Sequence, residues 1–270
     1  MNSPIKYYGG KTYMTDIIIS FFPTKYKVYV EGFGGGASVL LAKNETPIEV
    51  YNDINKNVYS LFKVISDSEK LEKLQQRLYL TPYHEEIRKE YKEKLLIEDI
   101  TVDDRAYYFF YVNRTSFNGV GGFSVNPLMR RSSAKSISDY LSAVDGLDEI
   151  WSRIRGCIIE NKDIFNLLDK YDDENTFFYL DPPYVQSTRK SNQKYENEFD
   201  DSLHTKLVDR LLTMKSKVLV SGYDHPIYDK LTENGWNKVN FKSQNAESSA
   251  TETLWFNYSI DKLDSKKKLW

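Results

Sequence analysis

Four glycines in five positions, set between two apolar runs, limit the choice of fold more than any other feature of this chain. Val28-Tyr29-Val30 reads as a strand, EGFGGGAS as a tight turn opening a helix of small residues, and Ile48-Glu49-Val50-Tyr51 as a second strand that stops at Asn52-Asp53. Glycine supplies the backbone freedom that an abrupt strand-to-helix turn needs. A strand, a helix and a strand in this span form a βαβ unit, whose strands pair in parallel through a right-handed crossover. The expected fold class is therefore α/β, with a mostly parallel sheet flanked by helices.

The chain has 270 residues, 40% hydrophobic and 14% aromatic, enough for one large α/β domain or for a core with an inserted subdomain, and disorder is excluded. MNSPIKYYGG lacks the apolar centre of a signal peptide, and no apolar stretch approaches the roughly 20 residues that span a bilayer. A soluble, cytoplasmic protein with no membrane partner is expected. Cys157 is the single cysteine, and His84, His204 and His225 share no motif spacing, so neither an intrachain disulfide nor a metal site is expected. With a net charge of -2, any nucleic-acid binding has to come from a local basic surface.

Farther along, residues 66–100 are charged and helical, as in EEIRKEYKEKLL, and read as a solvated face. A helix over Arg105 to Val112 is rich in Tyr and Phe, and NRTSFNGVGGFSVNPLMRRSSAK reads as an exposed functional loop or hairpin. The α/β rhythm returns with CIIE, TFFYL, KVLVSGY and late strands near Val239 and Leu254 to Tyr258.

The glycine loop leaves two chemistries open. Gly32, Gly34 and Ala37 fit the G-x-G-x-x-G/A spacing of a dinucleotide site, with Asp53 about 20 residues on to accept ribose hydroxyls. A nicotinamide enzyme fits this pattern, and so does a nucleoside-binding methyltransferase. A third reading is purely structural: the glycines make the turn, and Asn52 or Asp53 caps the next helix. Gly10-Lys11-Thr12 imitates the tail of a phosphate-binding loop, but no strand precedes it and Ile5 stands where the first glycine belongs. Nucleoside triphosphate hydrolysis is rejected. A terminal lysine is ordinarily solvated, whereas paired glycines beside aromatics argue for close approach to a ligand.

TFFYLDPPYV carries the chemistry. In a parallel sheet the carboxyl ends of the strands face the ligand crevice, so Asp181 lies beyond the buried run. Pro182 and Pro183 have no amide hydrogens, so the turn offers only acceptors, and Tyr184 offers a flat face. Such a pocket suits a planar exocyclic amine, with hydrogens directed to the Asp181 carboxylate and the Pro182 carbonyl and the ring stacked on Tyr184. Two acceptors favour a pyramidal nitrogen and stabilise the positive charge that grows on it during attack on an electrophilic methyl group.

In the order IKYYGGK, EGFGGGAS, NRTSFNG, LDPPY and TLWFNY, the chain resembles, over almost its whole length, the D12 class, Dam-like, DNA adenine N6-methyltransferases in the α-group motif order. The resemblance implies a Rossmann-like methyltransferase fold with an inserted helical target-recognition subdomain: a catalytic domain over 1–62 and 150–270, and the DNA-binding insertion over 63–149. It implies that S-adenosylmethionine is the cofactor, with Tyr7 and Lys11 at its binding site and Phe33, Gly34 and Gly35 forming the loop on its methionine side. Asp53 would hold the ribose, and Asp163 and Ile164, the latter where the family has an aromatic, would lie near the adenine ring. Asp181, Pro182, Pro183 and Tyr184 match the catalytic motif. Asn113, Arg114, Phe117, Asn118 and Gly119 match a segment that faces double-stranded DNA, and Arg130, Arg131, Lys135, Arg189, Lys190 and Lys194 would contact phosphates.

The implied reaction is direct methyl transfer to N6 of a flipped-out adenine, without a covalent enzyme intermediate. Methylation of cytosine N4 or of RNA adenine is the alternative from the same pocket, and a nicotinamide enzyme or an inactive DNA-binding module the more distant ones. A separately acting cognate restriction endonuclease and a monomer or weak dimer are expected. Relatives that read GATC follow Asn-Gly with an Arg-Tyr-Asn hairpin, but here Asn118-Gly119 leads into VGGFSVNP, whose Gly121-Gly122 should shorten and loosen it. A target other than GATC, or a relaxed one, is expected.

Overall fold

A computed structural model describes residues 1–7, 11–185, 199–242 and 251–260. In chain order its elements are α1 (Thr15–Ser20), β1 (Val28–Glu31), α2 (Ser38–Ala42), β2 (Ile48–Asn52), α3 (Lys56–Ile65), α4 (Ser68–Leu80), α5 (Glu85–Lys94) and α6 (Val102–Thr115). The two-residue strands β3 (Met129–Arg130) and β4 (Ser133–Ala134) precede α7 (Lys135–Asp145), α8 (Leu147–Ile154) and β5 (Ile158–Glu160). Then come α9 (Ile164–Tyr171), β6 (Thr176–Leu180), α10 (Asp201–Leu211), β7 (Lys217–Tyr223), α11 (Asp229–Glu233), β8 (Asn237–Lys242) and β9 (Thr251–Phe256). Among the described residues no helix is long and apolar enough to cross a membrane.

The chain forms two compact units, the first of Met1–Thr12, Gly35–Lys43 and Asn55–Asn161, the second of Tyr13–Gly34, Asn44–Ile54 and Lys162–Trp270. The 63–149 segment falls wholly inside the first, which also takes in α2, α3, α8 and β5.

The architecture is Rossmann-like, a seven-stranded, mostly parallel sheet flanked by helices. Six strands, in the order β2-β1-β6-β7-β9-β8, belong to the second unit. β1 pairs in parallel with β2 on one side and β6 on the other, and β6 with β7, while β9 runs antiparallel between β7 and β8. All five residues of β6 are buried, which is why TFFYL reads as an unbroken apolar run. On one face Phe178, Leu180, Val30 and Val220 pack with Leu167 and Leu168 of α9 and Leu207 and Leu211 of α10. On the other, Phe177 sits among the rings of Phe22, Tyr26, Tyr29 and Tyr258.

In the first unit α6 is the axis, packed against α3, α4, α5 and α7. The stretch from 66 to 100 is more than a solvated face, because Leu71, Leu74 and Leu78 of α4 and Arg88 of α5 are buried. Asn55, rather than Asn52 or Asp53, caps α3, its side chain accepting from the backbone N–H groups of Asn57 at 2.8 Å and Val58 at 3.4 Å. The α6 aromatics expected as packing also carry hydroxyls that tie turns in place. Tyr111 is fully buried; its hydroxyl donates to the Pro82 carbonyl at 2.7 Å and accepts from the His84 N–H at 2.9 Å.

Replacing Tyr111 by Phe removes a hydrogen bond to each of those backbone groups, and a hydrogen bond contributes about 0.5–1.5 kcal/mol. Urea denaturation is expected to show that loss for Tyr111→Phe, and a change within about 0.5 kcal/mol for Tyr79→Phe, whose half-exposed hydroxyl meets Asp145.

Candidate active site

The strand order turns back on itself between β1 and β6, because the chain leaves β1 for β2 on one side and later fills β6 on the other. Ligands of open α/β sheets bind outside the carboxyl ends of the strands at that reversal. Here the two ends carry Gly32-Phe33-Gly34 and Asp181-Pro182-Pro183-Tyr184. The Gly32 N–H donates to the Tyr179 carbonyl at 3.1 Å and the Gly34 N–H to the Asn52 carbonyl at 2.8 Å, pinning the loop to both neighbouring strands.

The loop glycines answer to the protein's own side chains. A Cβ on Gly32 would stand 2.6 Å from Leu180 Cδ2 and 2.9 Å from Ile164 Cδ1, and one on Gly34 would stand 2.1 Å from the Tyr51 ring. Ile164 is thus buried in the core beneath Gly32, and Asp163 is exposed and caps α9, its carboxylate accepting from the Phe165 N–H at 2.9 Å. Phe33 packs edge-to-face on Phe199, with ring centroids 5.5 Å apart. Asp53 is buried, 6% exposed, just past the end of β2. Beside it Asn52 bridges two loops: Nδ2 donates to the carbonyls of Gly32 (3.0 Å) and Lys162 (3.1 Å), and Oδ1 accepts from the Lys162 N–H (2.8 Å).

At the end of β6 the Asp181 Oδ1 accepts from the Ser221 hydroxyl at 2.7 Å, and Ser221 Oγ lies 3.0 Å from the Tyr179 hydroxyl. Tyr184 stacks on Tyr223 with centroids 3.9 Å apart and planes at 7°. Its hydroxyl donates to Glu252 Oε1 at 3.2 Å, and the Tyr13 hydroxyl donates to the same oxygen at 2.6 Å. Burial pushes the Tyr184 hydroxyl well above the ordinary tyrosine range, and the charges of Asp181 and Glu252 push it the same way. Tyr13 is raised likewise, first by burial and then by its bond to Glu252. Both phenols therefore stay protonated donors. One face of Tyr184 is taken by Tyr223.

In the first unit Lys11 is buried at the start of a 3₁₀ turn (Lys11–Met14), against the solvated lysine ordinary for a chain terminus. Tyr7 is part exposed, its ring where a Cβ on Gly35 would stand, 2.8 Å away, and Gly35 has a φ of +47°. The segment expected to face DNA divides. Asn113 is turned inward, its Oδ1 accepting from the Lys6 N–H at 2.8 Å and its Nδ2 donating to the Lys6 carbonyl at 3.0 Å. Arg114 donates to the carbonyls of Pro4 (2.6 Å) and Ser3 (2.7 Å), and burial pushes its pKa down to about 10, still protonated at neutral pH. Phe117 and Asn118 are exposed at the tip, with Gly119 behind them.

That tip is short but not loose. Ser116 and Phe123 form an antiparallel bridge, the Phe117 N–H donates to the Gly122 carbonyl at 2.9 Å, and Arg88 holds Ser116 Oγ at 2.9 Å and the Gly121 carbonyl. Arg88 went unread in the sequence because it lies in an otherwise charged helix. Arg130 and Lys135 share the Asp139 carboxylate, and Arg131, with a φ of +50°, donates to Ser142 Oγ at 3.3 Å. Arg189, Lys190 and Lys194 lie outside the described residues. Ser221, Tyr179, Tyr13, Tyr223 and Glu252 were not singled out in the sequence; the visible signal was a polar residue at the end of an apolar strand, in KVLVSGY and in TETLWF.

Comparison with known proteins falls on the same segments. Residues 7–249 match the family of D12 class N6 adenine-specific DNA methyltransferases. The chain is 27% identical to the type II methyltransferase M.MjaIII of Methanocaldococcus jannaschii, covering 94% of this chain and 98% of that one. It is 24% identical to the type II methyltransferase M.CviBI of Paramecium bursaria Chlorella virus NC1A, over 85% and 90%, and 23% identical to a DNA adenine methylase of Haemophilus influenzae, over 92% and 87%. A match of that extent, on a Rossmann-like sheet with an acid, two prolines and a clamped tyrosine at its strand reversal, places the chain in the D12 class of N6 adenine-specific DNA methyltransferases.

Proposed function

We propose that the chain transfers a methyl group from S-adenosylmethionine to N6 of an adenine flipped out of duplex DNA, with Asp181, the Pro182 carbonyl and Tyr184 as the groups that receive the base. What carries this reading is the place of Asp181 at the strand reversal, followed by two residues without N–H groups and by a tyrosine fixed in face and tip. A paired adenine hides N6 in the stack, so extrusion is required, at a few kcal/mol. The Tyr184 ring stacks on the base, and Asp181 and Pro182 accept the two amine hydrogens. As the nitrogen lone pair is engaged, positive charge grows there and the carboxylate stabilises it.

The residues at the loop fit the cofactor. Asp53 is a buried acceptor suited to a ribose diol, and Phe33 offers an apolar ring; Tyr7, Lys11 and Gly35 are the further contacts that the family resemblance implies. Bound S-adenosylmethionine supplies a methyl group on a sulfonium, which leaves as a neutral thioether when the N6 lone pair takes the methyl. Asp163 and Ile164 serve the cofactor's ring only indirectly, through the α9 cap and the packing under Gly32.

Phe117, Asn118 and Gly119 form the DNA-facing tip, with Arg130, Arg131 and Lys135 as phosphate contacts. The exposed pairing of Arg130 and Lys135 with Asp139 is weak and open to exchange for a phosphate. Val120 stands directly after Asn118-Gly119, where relatives that read GATC have the guanine-reading arginine, and one bidentate pair carries about 1–3 kcal/mol of discrimination. A site other than GATC, or a relaxed one, follows. Two of the relatives are named type II methyltransferases, which favours a separately acting restriction endonuclease, with this chain working as a monomer or weak dimer.

Asp181→Ala should lower the methylation rate about 10²–10³-fold, the scale of losing one group that stabilises transition-state charge, while calorimetric S-adenosylmethionine affinity stays near wild type. Asp53→Ala should weaken that affinity, and NAD should give no heat; substantial turnover by Asp181→Ala or measurable NAD binding would defeat the assignment. Replacing both Arg130 and Arg131 by Ala should weaken duplex binding at every sequence and flatten its salt dependence, by about one unit of log-log slope per lost phosphate contact. Sequencing that maps N6-methyladenine should find the mark at a motif other than GATC, and exclusive GATC methylation would overturn the hairpin argument.

A further inference from the structure

Asp181 does not stand alone at the strand end. Ser221, in β7, is buried and its hydroxyl donates to Asp181 Oδ1 at 2.7 Å. The Tyr179 hydroxyl lies 3.0 Å from the same serine oxygen, two residues before Asp181 on β6. A serine hydroxyl has one proton. With that proton committed to the carboxylate, the serine oxygen can only accept from Tyr179, so the chain runs from Tyr179 O–H to Ser221 O–H to Asp181. Tyr179 is buried, and burial together with the Asp181 charge holds its hydroxyl well above the ordinary tyrosine range, so it keeps the proton it donates.

We infer that Tyr179 and Ser221 are positioning residues: a directed hydrogen-bond relay that fixes Asp181 Oδ1 and with it the plane of the carboxylate that receives the substrate amine. A carboxylate free to rotate about its last torsion presents either oxygen, in a broad range of orientations. Clamping Oδ1 from β7 removes that freedom, and the hydroxyl dipole favours the ionised carboxylate that has to accept the amine. The neighbouring strands β6 and β7 hold the two donors in register, with Leu180 opposite Val220 just before each polar residue. Chained donors also polarise one another, so the tyrosine strengthens the bond it does not itself make to Asp181.

This inference rests on the reading of Asp181 as the amine acceptor, and the test separates the two. Single-turnover methylation of an adenine-containing duplex, with KM for DNA and the S-adenosylmethionine affinity, is measured for Ser221→Ala, Tyr179→Phe, their double variant and Asp181→Ala. A hydrogen bond to a charged group is worth about 1.5–3 kcal/mol, so Ser221→Ala should slow the chemical step about 10- to 100-fold, with KM and cofactor affinity unchanged. Tyr179→Phe should slow it less, and in the Ser221→Ala background should have no further effect, because the relay is already broken. A wild-type rate for Ser221→Ala beside a dead Asp181→Ala would overturn the relay and leave the active-site reading standing. Additive losses in the double variant, or a rise in KM in place of a fall in rate, would also overturn it. An active Asp181→Ala would instead overturn the reading on which the relay depends.

Discussion

The parallel pairing of β1 with β6 is the contact on which the rest of this protein depends. It sets Val28 opposite Thr176 and Glu31 opposite Tyr179, joining segments that lie far apart in the chain. Without it the glycine loop and the Asp-Pro-Pro-Tyr turn would be two unrelated motifs. With it they become the two lips of one crevice, since β1 is also the strand at which the order reverses. The pairing is held by burial: the Phe178 side packs on α9 and α10, and the Phe177 side fills a cluster of aromatic rings. Glu31 closes β1, and Asp181 follows the apolar run of β6 directly.

The acids of this region are each met by hydroxyl donors, Asp181 by Ser221 and Glu252 by Tyr13 and Tyr184. Tyr184 links the two, because it is stacked on Tyr223 and hydrogen-bonded to Glu252 while lying three residues past Asp181. Its ring is therefore fixed both in face and at its hydroxyl by the protein's own side chains.

Much of this was legible in the residues, for reasons that can be named. The parallel sheet followed from the glycine turn between two apolar runs, and the end of β6 from the abrupt change after Leu180. KVLVSGY was read as a strand, and it is one over its full length. Side chains whose partners are remote in sequence were hidden. Nothing local announces that Asn113 grips the Lys6 backbone or that Arg114 reaches Ser3 and Pro4, so both were read as facing DNA. Arg88 was lost in a charged helix for the same reason, and Ser221 looked like any small residue near a strand end. The loop glycines were read as serving a tight turn and a bound ligand, but at Gly32 and Gly34 a side chain is excluded by Leu180, Ile164 and Tyr51.

The central claim is that this crevice methylates the exocyclic amine of adenine in duplex DNA. Mass spectrometry of the nucleosides released from duplex DNA, after incubation with the purified chain and S-adenosylmethionine, tests it most directly. The account predicts N6-methyldeoxyadenosine as the one methylated nucleoside formed. N4-methyldeoxycytidine in its place, or no methylated nucleoside from DNA together with methylated adenosine from RNA, would contradict it.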